Sequence, residues 1–324
     1  MRLALQAIGS FRPCLRPRDL SMFLVARGEE AGIGFTRRRE GATRPSGRES
    51  RHNHPAPITQ SLPSLFGASI SNQDNLEQIT NMANRSRIEW TELTWNPVTG
   101  CTKLSPGCAY CYAEPFAERL KAMGIPGYRD GFAVTLHPDR LEQPLRRHKP
   151  TRWFVNSMSD LFHDAVPDDF IDLVFSTIER ARSHQFQILT KRPERAARYF
   201  AHRVVPTNSW LGVSVENRRH GLPRIELLRK IPASLRFLSV EPLLEDLGDL
   251  SLDGIHWVIV GGESGPHARG MKPEWARRVR DTCVDSDVPF FFKQWGSLGE
   301  DGLKRSKKAN GRLLDGRIWD EMPS

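Results

Sequence analysis

The chain has 324 residues, 39% of them hydrophobic, which suffices for one large core or two ordinary domains and excludes a minimal domain that needs stapling. Five cysteines, three of them crowded at Cys101, Cys108 and Cys111, exclude a disulfide-rich secreted scaffold and suit a metal in a reducing compartment. A formal charge of +9 favours an anionic partner such as nucleic acid, and no apolar run approaches the ~20 residues of a membrane span, so the chain reads as soluble and cytoplasmic.

Residues 1–81 are rich in Arg, Ser, Gly and Pro, lack lysine and show no sustained period of 2 or 3.6. They are expected to be a disordered extension or an upstream start-site error, because Met82 opens "MANRSRIEWTELTWNPVTGC", which reads as the natural beginning of a compact domain. A first strand, "LTWNPV" (93–98), leads into the cysteines, and a helix is predicted over 113–124. Next come a strand at 132–137, a helix at 139–148 and a strand at 152–158. Pro167 with Asp168 and Asp169 starts a helix over 167–183, followed by the strand 186–191, the helix 193–202 and the strand 210–215. A helix over 218–231 and the strand "RFLSV" (236–240) follow, but residues 241–254 offer little helix. The strand 256–262, a helix over 273–287 opened by Pro273 and Glu274, and the strand 289–295 complete eight strands. Residues 298–324, with the basic run "KRSKK" (304–308) and an apolar close at Ile318 and Trp319, are expected to be a solvated extension.

Alternating strands and helices argue for an α/β fold with a parallel sheet, and eight near-regular units over 82–297 argue for a (β/α)8 TIM-type barrel, incomplete after "RFLSV". An open doubly wound sheet is the rival, but no glycine-rich dinucleotide fingerprint follows the first strand.

In such a barrel, function sits at the C-terminal strand ends. Those ends supply Asn156 and Ser157, then Lys191, then Ser214, all candidates for cofactor or substrate contact by reach. Glu216, Glu241 and Glu263 each follow an apolar run and are candidate acid–base groups, with salt bridging to nearby Arg and Lys as the alternative. "GGESGPHARG" (261–270) places Gly261 and Gly262 at a strand end, where a backbone without Cβ atoms lets a ligand approach closely.

Six residues separate Cys101 from Cys108 and two separate Cys108 from Cys111. Three thiolates on one loop suit a [4Fe–4S] cluster with one iron open. A structural zinc site wants a fourth ligand, for which His137 and His163 are the candidates. A Cys108–Cys111 disulfide would need a redox context that nothing else in the sequence supports. Cys14 and Cys283 carry no such pattern.

"CAYCYA" after a first strand resembles the cluster loop of the radical S-adenosylmethionine superfamily. The stretches "IEWTELTWNPVTGC", "VNSMSDLFHD", "QILTKRPER", "LGVSVEN", "LSVEPLL", "VIVGGESG" and "FFFKQWG" closely resemble a phage-associated three-cysteine-motif family of unknown function (phage Gp37/Gp68-like), over about residues 82–297. The superfamily resemblance implies that Cys101, Cys108 and Cys111 ligate a [4Fe–4S] cluster and that S-adenosylmethionine chelates its open iron. It further implies that an electron donor such as flavodoxin or ferredoxin triggers formation of a 5′-deoxyadenosyl radical. A nucleic acid or nucleotide is the expected substrate on separate grounds, the charge surplus and the basic clusters "RRHK" (146–149), "RRH" (218–220) and "RRVR" (277–280). Two features depart from the superfamily: its usual loop has three residues between the first two cysteines, and its glycine-glycine-glutamate element follows the second strand, whereas "GGE" here follows the seventh. The competing reading is a non-enzymatic, zinc-stabilised nucleic-acid-binding protein of phage or mobile-element origin.

Overall fold

The structure, a computed structural model, describes Ser86 and residues 88–323. The extension expected over residues 1–81, Cys14 included, lies outside the described residues. In chain order the elements are β1 (Leu93–Trp95), β2 (Val98–Thr99), α1 (Ala113–Ala122), β3 (Thr135–Leu136), β4 (Arg152–Val155), α2 (Asp168–Arg180), β5 (Gln185–Thr190), α3 (Pro193–Phe200) and β6 (Ser209–Ser214). They continue with α4 (Arg218–Arg229), β7 (Leu235–Val240), β8 (Trp257–Gly261), α5 (Pro273–Asp285), β9 (Phe290–Gln294), α6 (Lys307–Asn310), β10 (Leu313–Leu314) and β11 (Arg317–Ile318).

Seven strands form one sheet in the order β1-β4-β5-β6-β7-β8-β9, and every neighbouring pair is parallel. The order never reverses, so the sheet has no switch point of the doubly wound kind.

Period-2 alternation sorts the side chains. Trp153, Val155, Phe186, Ile188, Leu211, Val213, Leu238, Val240, Val258, Val260, Phe290 and Phe292 join the helices in one large core. Phe154, Trp210, Phe237, Trp257, Ile259 and Phe291 point the other way and enclose Trp90 in a second core without helical residues. The Trp90 ring lies 4.8 Å from Phe154 on β4 and 6.1 Å from Trp257 on β8. In a flat sheet those strands would stand ~19 Å apart, four spacings of ~4.8 Å. The sheet is therefore curled around an aromatic plug. Gly212 permits the packing, since a Cβ there would sit 2.5 Å from the Phe237 ring.

The curl is a half-barrel and not the closed eight-stranded barrel expected from sequence. The predicted second strand, 132–137, contributes only Thr135–Leu136, which pairs antiparallel with Val98–Thr99 outside the main sheet. Its backbone is already committed to the chain entering the cysteine loop: Cys101 N–H donates to the Phe132 carbonyl and His137 N–H to the Pro97 carbonyl. The predicted helix over 139–148 is instead two single 3₁₀ turns, Pro138–Arg140 and Pro144–Arg146, because Pro144 withholds an N–H from any longer ladder. The other five helices form close to their expected spans. After β7 the missing helix is replaced by a loop that buries Leu243, Leu247, Leu250, Leu252 and Ile255 in the main core.

The solvated tail expected over 298–324 is only partly solvated. Trp319 packs edge-on to Phe290 at 5.7 Å, Leu314 is buried, and Asp320 bridges antiparallel to Phe291. The Trp257 indole N–H donates to the Glu321 carbonyl at 2.9 Å. This segment covers the outer edge of β9, which would otherwise offer free backbone groups.

Candidate functional site

The C-terminal ends of the seven parallel strands share one mouth. At the end of β2, Gly100 takes φ 82°, and an ideal Cβ on it would lie 2.0 Å from the Ala133 carbonyl oxygen, so the entry to the loop requires glycine. Cys101 follows, then a 3₁₀ turn at Pro106–Cys108, then Cys111, and Tyr112 caps α1. All three cysteines are free and half-buried. Among the described residues, no group of three or more His, Cys, Asp or Glu side chains is gathered closely enough to hold a metal ion. The donor chemistry itself fits a thiolate-ligated cluster: three thiols on one loop with two cations, Lys191 and Arg192, beside them.

Arg192, just past β5, donates from Nη1 to Cys101 Sγ at 3.6 Å and from Nη2 to the Thr102 carbonyl at 3.3 Å and hydroxyl at 3.0 Å. Burial and then the Asp160 carboxylate push the Cys101 thiol up, against the pull of Arg192. Burial also pushes the Cys108 thiol up. Lys191, backbone groups at Leu104 and Ser105, and the Ser105 hydroxyl outweigh it and leave that thiol below its ordinary range.

The two histidines expected as a fourth zinc ligand are engaged elsewhere. His163 Nδ1 accepts from the Ala165 N–H at 3.0 Å, which leaves its proton on Nε2, 2.9 Å from the Thr102 hydroxyl. His137 Nε2 lies 2.8 Å from the Thr99 hydroxyl, and burial, with Arg140 second, holds its pKa down to about 4.

Each candidate glutamate meets a cation. Glu216 is fully buried: Oε2 accepts from Arg224 at 2.6 Å, while Oε1 has no hydrogen-bond partner. Burial pushes its carboxyl up, but Arg224, the Ser105 hydroxyl and Lys191 together hold it below the usual carboxylate range. Glu241 pairs through Oε1 with Lys293 at 3.0 Å and accepts at Oε2 from the Ser239 hydroxyl at 3.3 Å. Arg269 grips both oxygens of Glu263, from Nε at 2.8 Å and Nη2 at 2.5 Å, and reaches on to the Pro106 carbonyl at 2.9 Å. Its guanidinium lies over the Tyr110 ring at 5.3 Å. Glu263 thus braces the cysteine loop through Arg269, and Glu216 lies close beneath it, since a Cβ on Gly107 would sit 3.3 Å from the Glu216 side chain.

Lys191 Nζ donates to the Ser214 hydroxyl at 2.9 Å. Asn156 takes φ 59° and accepts at Oδ1 from the Val98 N–H at 3.3 Å, leaving Nδ2 buried without a partner. The Ser157 hydroxyl donates to Asn96 Oδ1 at 3.2 Å, and its carbonyl accepts from the Tyr112 hydroxyl at 2.6 Å. The close approach of a ligand expected at Gly261 and Gly262 does not hold: the space left by the absent Cβ of Gly261 is taken by Glu241 Oε1, 2.6 Å from the ideal position, and that of Gly262 by the Trp295 carbonyl oxygen at 1.9 Å, so both glycines serve protein packing.

A family model described as "Protein of unknown function (DUF5131)" matches residues 85–323. The chain belongs to the DUF5131 family. No curated protein matches it. Among solved structures, this DUF5131 chain is similar to spore photoproduct lyase complexed with dinucleoside spore photoproduct, at 14% identity over 61% of this chain and 62% of that one, with a TM-score of 0.35. A double mutant of that enzyme with bound AdoMet and dinucleoside spore photoproduct matches at 15% identity over 59% and 61% of the two chains, TM-score 0.36. A cysteine-to-serine mutant matches at 14% over 65% and 78%, TM-score 0.38. The DUF5131 chain spans about 62% of the length of the first of these structures.

Sequence reasoning gathered the strand-end residues but missed the roles of Arg192, Arg269 and Tyr112. The available signals were a basic residue directly past a strand in "LTKRPER", an arginine closing the glycine-rich loop, and the aromatic residue after the last cysteine.

Proposed function

We propose that this DUF5131 protein binds a [4Fe–4S] cluster through Cys101, Cys108 and Cys111, with S-adenosylmethionine beside it, and acts on a nucleotide or nucleic acid in the reducing cytoplasm. The observation that carries this reading is the donor set: three free thiols after the first strand, with both nitrogens of His163 and Nε2 of His137 engaged elsewhere. Structural zinc is four-coordinate, whereas a cluster used in catalysis keeps one iron open. When bound and reduced by a flavodoxin- or ferredoxin-class donor, the group supplies one-electron cleavage of a carbon–sulfur bond and hydrogen-atom abstraction from substrate.

The chain's own residues bind, orient and confine. Cys101, Cys108 and Cys111 hold the metal, while Arg269 with Glu263, and Glu216 with Arg224, keep the loop seated on the mouth. Asn156, Ser157 and Lys191 with Ser214 offer polar groups to cofactor and substrate, whereas the Gly261–Gly262 turn is packed against Glu241 and the Trp295 carbonyl and shapes the mouth. Glu241, paired with Lys293, presents its carboxylate as an acceptor for a substrate donor. The aromatic plug around Trp90 fills the lumen and restricts ligands to the mouth. The surplus of +9 supports an anionic substrate.

The test is product formation. Anaerobically reconstituted, chemically reduced protein incubated with S-adenosylmethionine is expected to release 5′-deoxyadenosine, and Cys111→Ala none. Wild-type protein that releases no more than Cys111→Ala contradicts the proposal.

A further inference from the structure

The six residues from Thr102 to Gly107 that separate the first two cysteines are clasped at both ends. Pro106 is held by Arg269, and Thr102 by Arg192 together with His163. The Thr102 end also reaches the metal-binding set itself, because Arg192 Nη1 donates to Cys101 Sγ. Of the three thiols, only Cys101 has a charged donor on its sulfur. Cys108 Sγ meets the Ser105 hydroxyl at 3.9 Å, and Cys111 packs on the apolar cluster of Ala113, Ala117, Tyr128 and Met158.

Arg192 is itself fixed. It is 7% exposed, and its Nη1 lies 3.3 Å from Asp160 Oδ2. Asp160 is saturated from the end of β5 and its own turn: Oδ1 accepts from the Thr190 hydroxyl at 2.7 Å and the Phe162 N–H at 3.1 Å, and Oδ2 accepts from the Lys191 N–H at 2.9 Å. The Arg192 N–H donates to the same Thr190 hydroxyl at 2.8 Å. A planar guanidinium serves Asp160, Cys101 and Thr102 at once, which a point-charge ammonium cannot do.

We propose that Arg192 is a positioning residue for Cys101, aiming its sulfur for metal ligation and fixing the start of the six-residue spacer, with Asp160 fixing Arg192. The inference rests on Cys101 being a metal ligand, as proposed above. A charge-assisted hydrogen bond to a ligating sulfur holds the ligand in place and favours the reduced cluster, so it raises the potential.

The test compares Arg192→Met, Arg192→Lys and Arg203→Met in the reconstituted full chain; the last removes the exposed Arg203–Asp172 pair on the outer helical layer. Metal release to a chelator and the midpoint potential are read for each. Arg192→Met is expected to release metal about 10- to 100-fold faster than wild type and to shift the potential to more negative values, while Arg203→Met matches wild type. Arg192→Lys is expected to stay near the wild-type potential yet release metal faster, since charge is kept and the fork is lost. If Arg192→Met fails to fold because Asp160 is left unpaired, the Asp160→Asn, Arg192→Met double variant removes both charges; it is expected to release metal as fast, with a smaller shift in potential, because Asp160 and Arg192 act oppositely on the Cys101 sulfur. Wild-type release with an unchanged potential in Arg192→Met, or equally fast release in Arg203→Met, overturns the inference. If the wild-type protein holds zinc, the cluster reading fails, but zinc release from the same variants still tests Arg192.

Discussion

Arg224→Met removes the cation paired with a fully buried carboxylate. In α4, Arg224 reaches back to the end of β6, where Nη1 donates to Glu216 Oε2 at 2.6 Å and to the Ser214 carbonyl at 2.9 Å. At an effective dielectric near 20, a pair at that distance is worth about 6 kcal/mol of attraction. The loss is capped below this, because an abandoned Glu216 takes up a proton. Neutralising a carboxyl of ordinary pKa near 4.3 at pH 7 costs about 4 kcal/mol. The variant is therefore expected to lose about 4 kcal/mol at pH 7, within the range found for breaking buried pairs. The pH dependence follows in sign. In the variant the folded pKa is raised above the unfolded one, so folding takes up a proton and stability recovers as pH falls. The gap to wild type should shrink by about 1.4 kcal/mol per pH unit, to about 1 kcal/mol at pH 5. In wild type Glu216 stays charged throughout, since its carboxyl lies below the usual range. Urea unfolding followed by tryptophan fluorescence at several pH values reads the gap. A deficit under about 1 kcal/mol at pH 7, or one that does not change down to pH 5, would mean that Glu216 does not depend on Arg224 for its charge.

Three further outcomes are expected. His137 is buried and neutral with its pKa held down to about 4, so the unfolded chain binds a proton that the folded one refuses. Stability should fall as pH drops from about 6.5 to 4, by up to about 1.4 kcal/mol per unit, and His137→Gln should flatten that slope in urea midpoints. Gly262→Ala forces a Cβ to 1.9 Å from the Trp295 carbonyl oxygen, so it should cost about 1–3 kcal/mol or more in thermal unfolding and loosen the adjoining Glu263–Arg269 clasp. In metal-free native protein, iodoacetamide should label Cys101, Cys108 and Cys111 but spare Cys283, which is buried with its thiol pushed up to about 12 by desolvation. Peptide mass spectrometry that finds Cys283 labelled as fast as the others contradicts this.

The strands were legible because each is an apolar run buried on both faces and followed by polar residues, the pattern a covered parallel sheet imposes. What sequence could not convey was closure. Residues 132–137 have strand composition, yet their backbone partners are Pro97 and Cys101, so they flank the cysteine loop instead of entering the sheet. The tail misled for the same reason: Trp319 and Leu314 stand among charged residues, and only the exposed edge of β9 explains why they are buried or half-buried. The three cysteines and the strand-end glutamates were readable from spacing and position. Their restraints were not, because Arg192 meets Thr102 across 90 residues and Arg269 meets Pro106 across 163. The Glu263–Arg269 and Glu216–Arg224 pairs, six and eight residues apart, lay within the reach of local reasoning.

Cys101, Cys108 and Cys111 are proposed to hold an iron–sulfur cluster with one open iron. Elemental analysis of anaerobically purified and reconstituted protein for iron, acid-labile sulfide and zinc tests this most directly. About four irons and four sulfides per chain are expected, lost in Cys108→Ala and retained in Cys283→Ala. One zinc per chain with no sulfide, unchanged after anaerobic reconstitution, would contradict it.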